Sequence, residues 1–264
     1  MNIALVGYGK MGKLIEAKAL EGGHRITAVI DPFLAAGGPA AGRPVFRDCR
    51  EEGALDQADL AIEFTQPRAT PENIAALAER KIPAVIGTTG WYDQLDRVKT
   101  LVTEAGSSLV WAANFSLGVN LFYRIAARAA KMADPFPEYD VGGWEAHHNK
   151  KADSPSGTAK TLTERVLSQM TRKTRVLWDT LEGPPAPEVL HYPSLRIGSA
   201  PGVHTLIFDS PADTITLTHE ARNREGFAVG ALRAAEWLLS RGPAARRGVF
   251  TMDDVLDGIL MTRG

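Results

Sequence analysis

Short apolar runs alternate with amphipathic stretches through the first part of the chain. Five runs are apolar on both faces and predict β-strands, namely Ile3–Val6, Ile26–Ile30, Leu60–Phe64, Ala84–Ile86 and Leu109–Trp111. Three stretches between them have helical spacing, namely Lys10–Leu20, Asn73–Arg80 and Gln94–Glu104. Strands that are apolar on both faces are typical of a parallel sheet covered by helices on both sides. The alternation therefore predicts right-handed βαβ units and a Rossmann doubly wound parallel sheet of the α/β class.

The pattern changes after about Asn114. A long helical stretch is followed by runs with strand character that are separated by Gly, Pro and Asp turns, so this part predicts a second, α+β domain with a mixed or antiparallel sheet. Its predicted elements are a helix at Val119–Met132 and strands at Val141–Ala146, Leu195–Ile197, Val203–Phe208 and Thr214–Thr218. The proline-rich segment Gly183–Pro193 predicts an irregular surface loop. Two further helices are predicted near the end of the chain, at Phe227–Leu239 and Met252–Met261.

Composition narrows the class of protein. A chain of 264 residues can bury two modest cores. The net charge of -1 gives no electrostatic basis for nucleic acid or an anionic membrane as the main partner. The single cysteine, Cys49, excludes an internal disulfide and a cysteine-based zinc site, as expected in a reducing compartment. A predicted strand follows Met1 directly, and no apolar run approaches the length of a membrane span, so we expect a cytoplasmic protein.

A glycine motif lies between the first predicted strand and the first predicted helix. Residues 7–12 are Gly-Tyr-Gly-Lys-Met-Gly, a G-x-G-x-x-G pattern whose glycines allow a tight turn and a close approach to a pyrophosphate. Asp31 ends the second strand, at the position where an acidic residue accepts hydrogen bonds from the adenosine ribose. Its carboxylate favours NADH because it repels a 2′-phosphate, whereas Lys10 could approach that phosphate. The motif predicts a nicotinamide dinucleotide and leaves NADH and NADPH both open.

A second turn motif follows the fourth predicted strand. Residues 87–90 are Gly-Thr-Thr-Gly, and ligands of doubly wound sheets bind beyond the carboxyl ends of the strands. Backbone and hydroxyl groups of Gly87, Thr88 and Thr89 are therefore candidates for contact with the nicotinamide. An ordinary β-turn would explain the same spacing.

The densest chemistry of the sequence lies in residues 145–159. Two histidines, His147 and His148, and Lys151 precede Ser156-Gly157-Thr158, which begins a predicted helix. Hydroxyls and free N–H groups at a helix start bind a carboxylate, and a nearby cation can bind the same anion or deliver a proton.

Three alternatives exist for this segment. Ser156 or Thr158 could be a simple helix cap. Glu145, His147 and His148 could ligate a metal, but they lack the spacing of a closed site, so no metal is predicted. A serine–lysine hydrolase would use Ser156 and Lys151, which the Rossmann pattern disfavours.

The order of the motifs resembles the 4-hydroxy-tetrahydrodipicolinate reductase (dihydrodipicolinate reductase) family of lysine and diaminopimelate biosynthesis. The segments that carry the resemblance are 7–12, Glu-Phe-Thr-Gln-Pro at 63–67, 87–90, Ala-Asn-Phe-Ser-Leu-Gly-Val-Asn at 113–120, and 145–159. The resemblance covers nearly the whole chain and implies reduction of a cyclic dicarboxylate by hydride transfer from NADH or NADPH, completed by protonation. It also implies a homotetramer, with a dinucleotide-binding domain at 1–117 and 225–264 and a substrate-binding and oligomerisation domain at 118–224.

The resemblance also implies roles for individual residues. His147 falls on the family's acid/base histidine and Lys151 on its proton-donor lysine, and either could deliver the proton. The implied substrate contacts are His148, Lys151, Ser156, Gly157 and Thr158. The implied cofactor contacts are Gly7, Tyr8, Gly9, Lys10, Met11, Gly12, Asp31, Phe64, Thr65, Gly87, Thr88, Thr89, Ala112, Ala113, Asn114 and Phe115, together with Arg224, which is similar to a hinge-side arginine of the family.

Several positions depart from the family pattern. The glycine loop is one residue shorter than the commoner form, and Pro32 stands where some relatives place an arginine for the 2′-phosphate. Glu63 replaces the usual aspartate, Ser154 an alanine, and Asn149 a residue that is often basic. The sequence also leaves two other functions open. One is a different NAD(P)-dependent dehydrogenase, and the other is a nucleotide-binding sensor without turnover, for which the cluster from His147 to Lys151 would be dispensable.

Overall fold

The computed structural model describes residues 1–34 and 42–261, which form two compact units. The first unit is Met1–Ser116 with Glu225–Gly264, and the second is Leu117–Arg224. Leu117, placed in the first domain by the sequence, begins a helix of the second unit. The parts of the predicted domain ranges at 35–41 and 262–264 lie outside the described residues.

The elements of the two units are numbered along the chain. The first unit contains β1 (Asn2–Val6), α1 (Lys10–Glu21), β2 (Arg25–Ile30), β3 (Val45–Phe46), β4 (Leu60–Glu63), α2 (Thr70–Glu79), β5 (Ala84–Ile86), α3 (Leu95–Glu104) and β6 (Ser108–Trp111). The second unit contains α4 (Leu117–Ala133), β7 (Asp140–His147), α5 (Gly157–Leu167), β8 (Arg175–Leu177), β9 (Val189–His191), β10 (Ser194–Arg196), β11 (Val203–Asp209) and β12 (Thr214–Glu220). The chain then completes the first unit with α6 (Glu225–Ser240), β13 (Gly248–Thr251) and α7 (Met252–Met261).

The first unit is built on a seven-stranded sheet of order β13-β6-β5-β4-β1-β2-β3, in which every pairing is parallel. Its central strands are buried along their whole length because helices cover the sheet. The strand order reverses between β1 and β4, and this switch point is where doubly wound sheets bind ligands. The predicted Rossmann fold is confirmed. The short strands β3 and β13 were not predicted, since two and four half-buried residues give no periodic signal.

The second unit contains a four-stranded sheet of order β10-β7-β11-β12, in which β10 pairs parallel to β7 and the other pairs are antiparallel. The predicted mixed sheet is therefore confirmed. The predicted loop over Gly183–Pro193 is wrong in part, because Val189–His191 forms β9 and pairs parallel to β8. The strand forms despite the neighbouring prolines because Leu190 is fully buried in the core of this unit.

No helix among residues 1–34 and 42–261 has the length and apolar character needed to cross a membrane.

Candidate active site

The glycine turn of the first unit lies directly after β1. Gly7 has a φ of +90°, and an added Cβ would lie 2.1 Å from the carbonyl oxygen of Phe64 at the end of β4. A Cβ on Gly12 would lie 2.2 Å from the carbonyl oxygen of Gly7. A Cβ on Gly9 would have nothing within 4 Å. Gly7 and Gly12 thus set the packing of the turn, whereas Gly9 leaves the N-terminal end of α1 open to an approaching phosphate.

Two cavities flank this turn. One, of about 490 Å³, is lined by Tyr8 and Asp31 and by side chains that follow β3 and β4. The other, of about 460 Å³, is lined by Lys10, Met11, Gly87, Thr88 and Thr89. Gly9, Phe64 and Thr65 line both cavities. This arrangement fits a dinucleotide, because each cavity can receive one half while the open Gly9 backbone faces the pyrophosphate between them.

Asp31 is more constrained than the sequence predicts. Its Oδ2 accepts a hydrogen bond of 2.8 Å from the backbone N–H of Tyr8, and its Oδ1 accepts one of 3.0 Å from that of Phe33. The carboxylate therefore holds the glycine turn, and only its remaining lone pairs are available to a ribose hydroxyl. Its predicted role with the ribose stays a prediction.

Arg47 lines the same cavity as Asp31 and was missed by the sequence analysis. Its Nη2 donates a hydrogen bond of 3.2 Å to the carbonyl oxygen of Pro32, so the guanidinium lies beside the residue that follows Asp31. Arg50 also lines this cavity, but its guanidinium is near Asp48 and Glu72, at 3.7 and 3.6 Å. No local motif marks either arginine, since β3 brings this segment next to β2 only through the sheet.

A buried carboxylate at the end of β4 interacts with the turn after β5, through Thr88. Glu63 is fully buried at the end of β4 and accepts hydrogen bonds from the hydroxyls of Thr65 and Thr70. Burial raises its pKa, and these hydrogen bonds oppose the rise. Thr88 accepts a hydrogen bond of 2.6 Å at Oγ1 from the backbone N–H of Thr65. Glu63 and Thr88 thus hold the loops that line the second cavity.

The remaining predicted cofactor residues are not among the residues that line these two cavities. Phe115 is buried and packs its ring 6.3 Å from that of Phe64. Ala112 is buried, Ala113 is exposed, and Asn114 accepts a hydrogen bond from the backbone of Ser116. Arg224 is exposed and is the last residue of the second unit. Contact of these residues with the cofactor remains a prediction.

A buried carboxylate organises the second unit. Glu145 of β7 is fully buried, and its Oε1 accepts hydrogen bonds from the backbone N–H of Ser156 at 2.9 Å, from Ser194 Oγ at 2.7 Å and from Arg196 Nη2 at 3.1 Å. Its Oε2 accepts a hydrogen bond from the Ser156 hydroxyl. Burial alone would raise the pKa of Glu145, but the interactions with His147, Ser156 and Ser194 hold it far below its usual range. Glu145 is therefore a charged carboxylate inside the fold.

Two histidine rings lie against this carboxylate. Nε2 of His147 is 3.3 Å from Glu145 Oε2, and Nδ1 of His204 is 3.8 Å from the same oxygen. Both nitrogens are buried and have no aligned hydrogen-bond partner among the described residues. Burial lowers the pKa of His204 to about 4, so that ring is neutral at neutral pH. Gly202, with a φ of +125°, leaves room for the His147 ring, since a Cβ there would lie 3.0 Å from its Cε1.

The other predicted substrate residues lie around the start of α5. Ser156 is the N-cap of this helix and accepts a hydrogen bond of 3.1 Å from the N–H of Ala159, so the cap interpretation is correct for Ser156. Gly157 is exposed, and a Cβ there would have nothing within 4 Å. Thr158 interacts with the hydroxyl of Tyr123. The start of α5 therefore combines a structural cap at Ser156 with an exposed glycine at the next position.

Lys151 and His148 lie on the loop that leads to α5. Nζ of Lys151 is 2.6 Å from Oδ1 of Asp153, which is itself 57% exposed, so the lysine is held by a partner that solvent also reaches. This contact with Lys151 lowers the pKa of Asp153. Nδ1 of His148 is buried without a hydrogen-bond partner among the described residues.

Glu145, His147 and His204 bring ligand atoms within 4.8 Å of one another, the geometry of a possible metal site. His204 takes the place that the metal alternative gave to His148. The Arg196 guanidinium and three hydroxyl or N–H donors already engage the Glu145 carboxylate. A cation would have to compete with these donors and with the arginine charge, so the arrangement favours a hydrogen-bonded network.

The strand order, the glycine turn at the switch point and the second α+β unit define a two-domain protein of the Rossmann, dinucleotide-binding class. The family models described as "Dihydrodipicolinate reductase, N-terminus" and "Dihydrodipicolinate reductase, C-terminus" match residues 1–115 and 118–256. The chain belongs to the dihydrodipicolinate reductase family of lysine and diaminopimelate biosynthesis. The predicted enzyme class, NADH or NADPH as cofactor, and the family resemblance are thereby confirmed.

Individual relatives agree with this assignment. The chain is 36% identical to the 4-hydroxy-tetrahydrodipicolinate reductase of Christiangramia forsetii over 260 residues, which cover 98% of this chain and 99% of the relative. It is 35% identical to that of Archaeoglobus fulgidus over 268 residues, which cover 97% and 100%. The fold is similar to that of the dipicolinate-bound dihydrodipicolinate reductase of Paenisporosarcina sp. TG-14, with a TM-score of 0.75, 23% identity, and coverage of 95% and 97%.

Proposed function

We propose that this chain reduces 4-hydroxy-tetrahydrodipicolinate to tetrahydrodipicolinate with NADH or NADPH. The cofactor supplies a hydride from nicotinamide C4 when it is bound. One hydride and one proton enter the substrate, and its 4-hydroxyl leaves as water, so the atoms balance. The first unit would hold the dinucleotide, with its two halves in the cavities beside Gly9.

The second unit would bind the substrate and deliver the proton. We assign one substrate carboxylate to the start of α5, where Gly157 and Thr158 would supply donors and Lys151 would add positive charge. His148 is a further proposed contact. Ser156, whose N–H and hydroxyl both donate to Glu145, would fix the position of this turn beside the substrate. His147 and Lys151 are the proposed proton-delivering groups. Cationic groups here would offset the negative charge that develops on the ring as the hydride arrives.

The observation that supports this proposal most directly is the link between His147 and the start of α5 through Glu145. A helix start that only needed a cap would not require a buried charge shared with a histidine. A sensor without turnover would not require it either. The family assignment adds a homotetramer and a cytoplasmic location to the proposal.

The test is a turnover assay with the condensation product of pyruvate and aspartate semialdehyde as substrate. We expect the absorbance of NADH or NADPH to fall with saturation kinetics. Oxidation of the dinucleotide with an aldehyde or 2-oxo acid, and none with the condensation product, would favour the alternative dehydrogenase. Tight binding of the dinucleotide without turnover of any substrate would favour the sensor.

A further inference from the structure

We propose that Glu145 is a positioning residue of this reduction. Its single buried carboxylate holds both the ring of His147 and the first turn of α5, so that the proton-delivering group and the carboxylate receptor keep one fixed geometry. This inference rests on the proposed function for the roles of His147 and α5.

Strand register brings the network together. Glu145 on β7 lies opposite Ser194 on β10 and opposite His204 on β11, so neighbours on both sides of β7 meet its carboxylate. Arg196 lies opposite His147 in the same register. Alternate residues of a strand point to the same face, so Glu145 and His147 share one face of β7, and Ser194 and Arg196 share one face of β10. The network is therefore a cross-strand layer, and Ser156 joins it from the end of α5.

The two oxygens of Glu145 have different tasks. Oε1 accepts three donors from Ser156, Ser194 and Arg196, which compensate for the burial of the charge. Oε2 accepts the Ser156 hydroxyl and lies next to the two histidine nitrogens that have no hydrogen-bond partner in the described part of the chain. His204, which lies near the same oxygen, is neutral and does not offset the negative charge of Glu145. The charge is therefore available to interact with His147. The attraction orients the His147 ring, and Gly202 provides the space that this orientation needs.

A carboxylate with this arrangement acts on two kinetic parameters. Through His147 it affects proton delivery and hence kcat, and through Ser156 it affects substrate binding and hence KM. If the carboxylate had only a structural role, its replacement would lower the stability of the fold without a specific effect on kcat or KM.

The experiment is a double-mutant cycle between Glu145→Gln and His147→Gln, with kcat, KM and the Kd for NADH measured for each protein. We expect Glu145→Gln to lower kcat by about 10- to 100-fold and to raise KM, with an unchanged Kd for NADH. In the His147→Gln background, we expect the same change to lower kcat by less than about threefold, because the group through which Glu145 acts is already gone. Equal effects in the two backgrounds would overturn the proposal.

A matched control separates positioning from stability. Asp134 is a partly buried carboxylate of the same unit whose hydrogen bonds run to Thr171 and Arg172 and not to the network. Asp134→Asn should lower the melting temperature and leave kcat within about twofold. Glu145→Asp, which keeps the charge on a shorter arm, should recover part of the kcat lost in Glu145→Gln. A Glu145→Asp protein no better than Glu145→Gln would show that charge at this site does not matter.

A readout without turnover keeps the inference separate from the proposed function. Histidine side-chain NMR, assigned with His147→Gln, should show that Glu145→Gln shifts the ring resonances of His147, whichever substrate the enzyme uses. If the wild-type enzyme fails to reduce 4-hydroxy-tetrahydrodipicolinate, the proposed function is wrong, and this measurement still tests the positioning. Unchanged His147 resonances in Glu145→Gln would overturn the positioning.

Discussion

The carboxylate of Asp31 accepts a hydrogen bond of 2.8 Å from the backbone N–H of Tyr8, which ties the end of β2 to the glycine turn after β1. The acidic residue that the sequence assigns to the ribose therefore has a structural task as well. Its charge still repels a 2′-phosphate. Arg47, beside Pro32 in the same cavity, supplies the opposite charge, so we expect preference between the dinucleotides to depend on these two side chains.

We predict that the wild-type protein binds NADH at least as well as NADPH, and that Arg47→Gln widens this difference. Removal of a charge-assisted contact to a 2′-phosphate should weaken NADPH binding by about 10-fold, the lower end of the range because Arg47 is exposed. The affinity for NADH should stay within about twofold. Calorimetric titration of both dinucleotides at fixed salt measures this.

Arg50→Gln is the matched control, since Arg50 lines the same cavity but lies near Asp48 and Glu72. We expect a smaller effect on NADPH than for Arg47→Gln. Equal losses of NADH and NADPH affinity in Arg47→Gln would show that Arg47 does not contact the 2′-phosphate. A wild-type preference for NADPH of about 10-fold or more would show that the cations outweigh Asp31.

The glycine turn allows a second prediction with an internal contrast. Gly9→Ala introduces a methyl group that meets no atom of the protein within 4 Å, and Gly9 has an ordinary φ of -74°. The melting temperature should therefore hardly change, while NADH and NADPH both bind at least about 10-fold more weakly, because the methyl group occupies the place of the pyrophosphate. Gly7→Ala should instead destabilise the fold, since its Cβ would lie 2.1 Å from the Phe64 carbonyl oxygen. Normal dinucleotide affinity in Gly9→Ala would place the pyrophosphate elsewhere.

The local hydrophobic pattern predicted the fold class and most strands, but not the contacts between side chains at the candidate site. The five central strands of the Rossmann sheet are apolar on both faces, and this signal located the bounds of each to within one residue. The buried strand β9 was missed because the four prolines around it mask a three-residue run. Its burial depends on the core of the second unit, which no local window contains.

The roles of Glu145 and His204 show the same limit for chemistry. From the sequence, Glu145 was a candidate only as a metal ligand. The predicted strand ended at Ala146, whereas β7 extends to His147, and this extra residue places Glu145 and His147 on one face. His204 lies 59 positions further along the chain and meets Glu145 only through the register of β11 against β7. Cross-strand register decides such contacts, and a single sequence does not specify it. Arg47 likewise reaches the cofactor cavity through the pairing of β3 with β2.

The buried neutral histidine gives a prediction for stability against pH. Burial lowers the pKa of His204 to about 4 from an ordinary value of 6.5. Between these values the unfolded chain binds a proton that the folded protein does not, so stability is lost as the pH falls from about 6.5, and the loss is complete once it passes about 4. The shift corresponds to about 3 kcal/mol.

His204→Gln removes this contribution. Its free energy of unfolding, measured with urea at pH 7 and pH 4.5, should fall by less on acidification than that of the wild type. His219, whose pKa is also lowered by burial, is present in both proteins and cancels in the comparison. Parallel pH dependences in the two proteins would contradict a neutral, buried His204.

The last prediction separates binding from chemistry at Lys151. As a cation that only binds the substrate carboxylate, its loss would weaken substrate binding and spare most of kcat. As a proton donor, its loss depresses kcat as well, because the interaction matters most in the transition state. We predict the second pattern for Lys151→Ala, with a fall in kcat on the order of 10²–10⁴-fold.

His147→Gln should show a milder loss, since two neighbouring donors can partly replace one another. Lys150→Ala is the control, because Lys150 is an adjacent exposed lysine and should leave kcat within about twofold. Steady-state kinetics across a pH range, with the dinucleotide Kd measured alongside, decides between the roles.

The contact of 2.6 Å with Asp153 holds Lys151 in place without burying its charge, which suits a group that must regain a proton from solvent in each cycle. If Lys151→Ala keeps near-native kcat at saturating substrate, Lys151 is a binding residue only, and His147 becomes the leading acid.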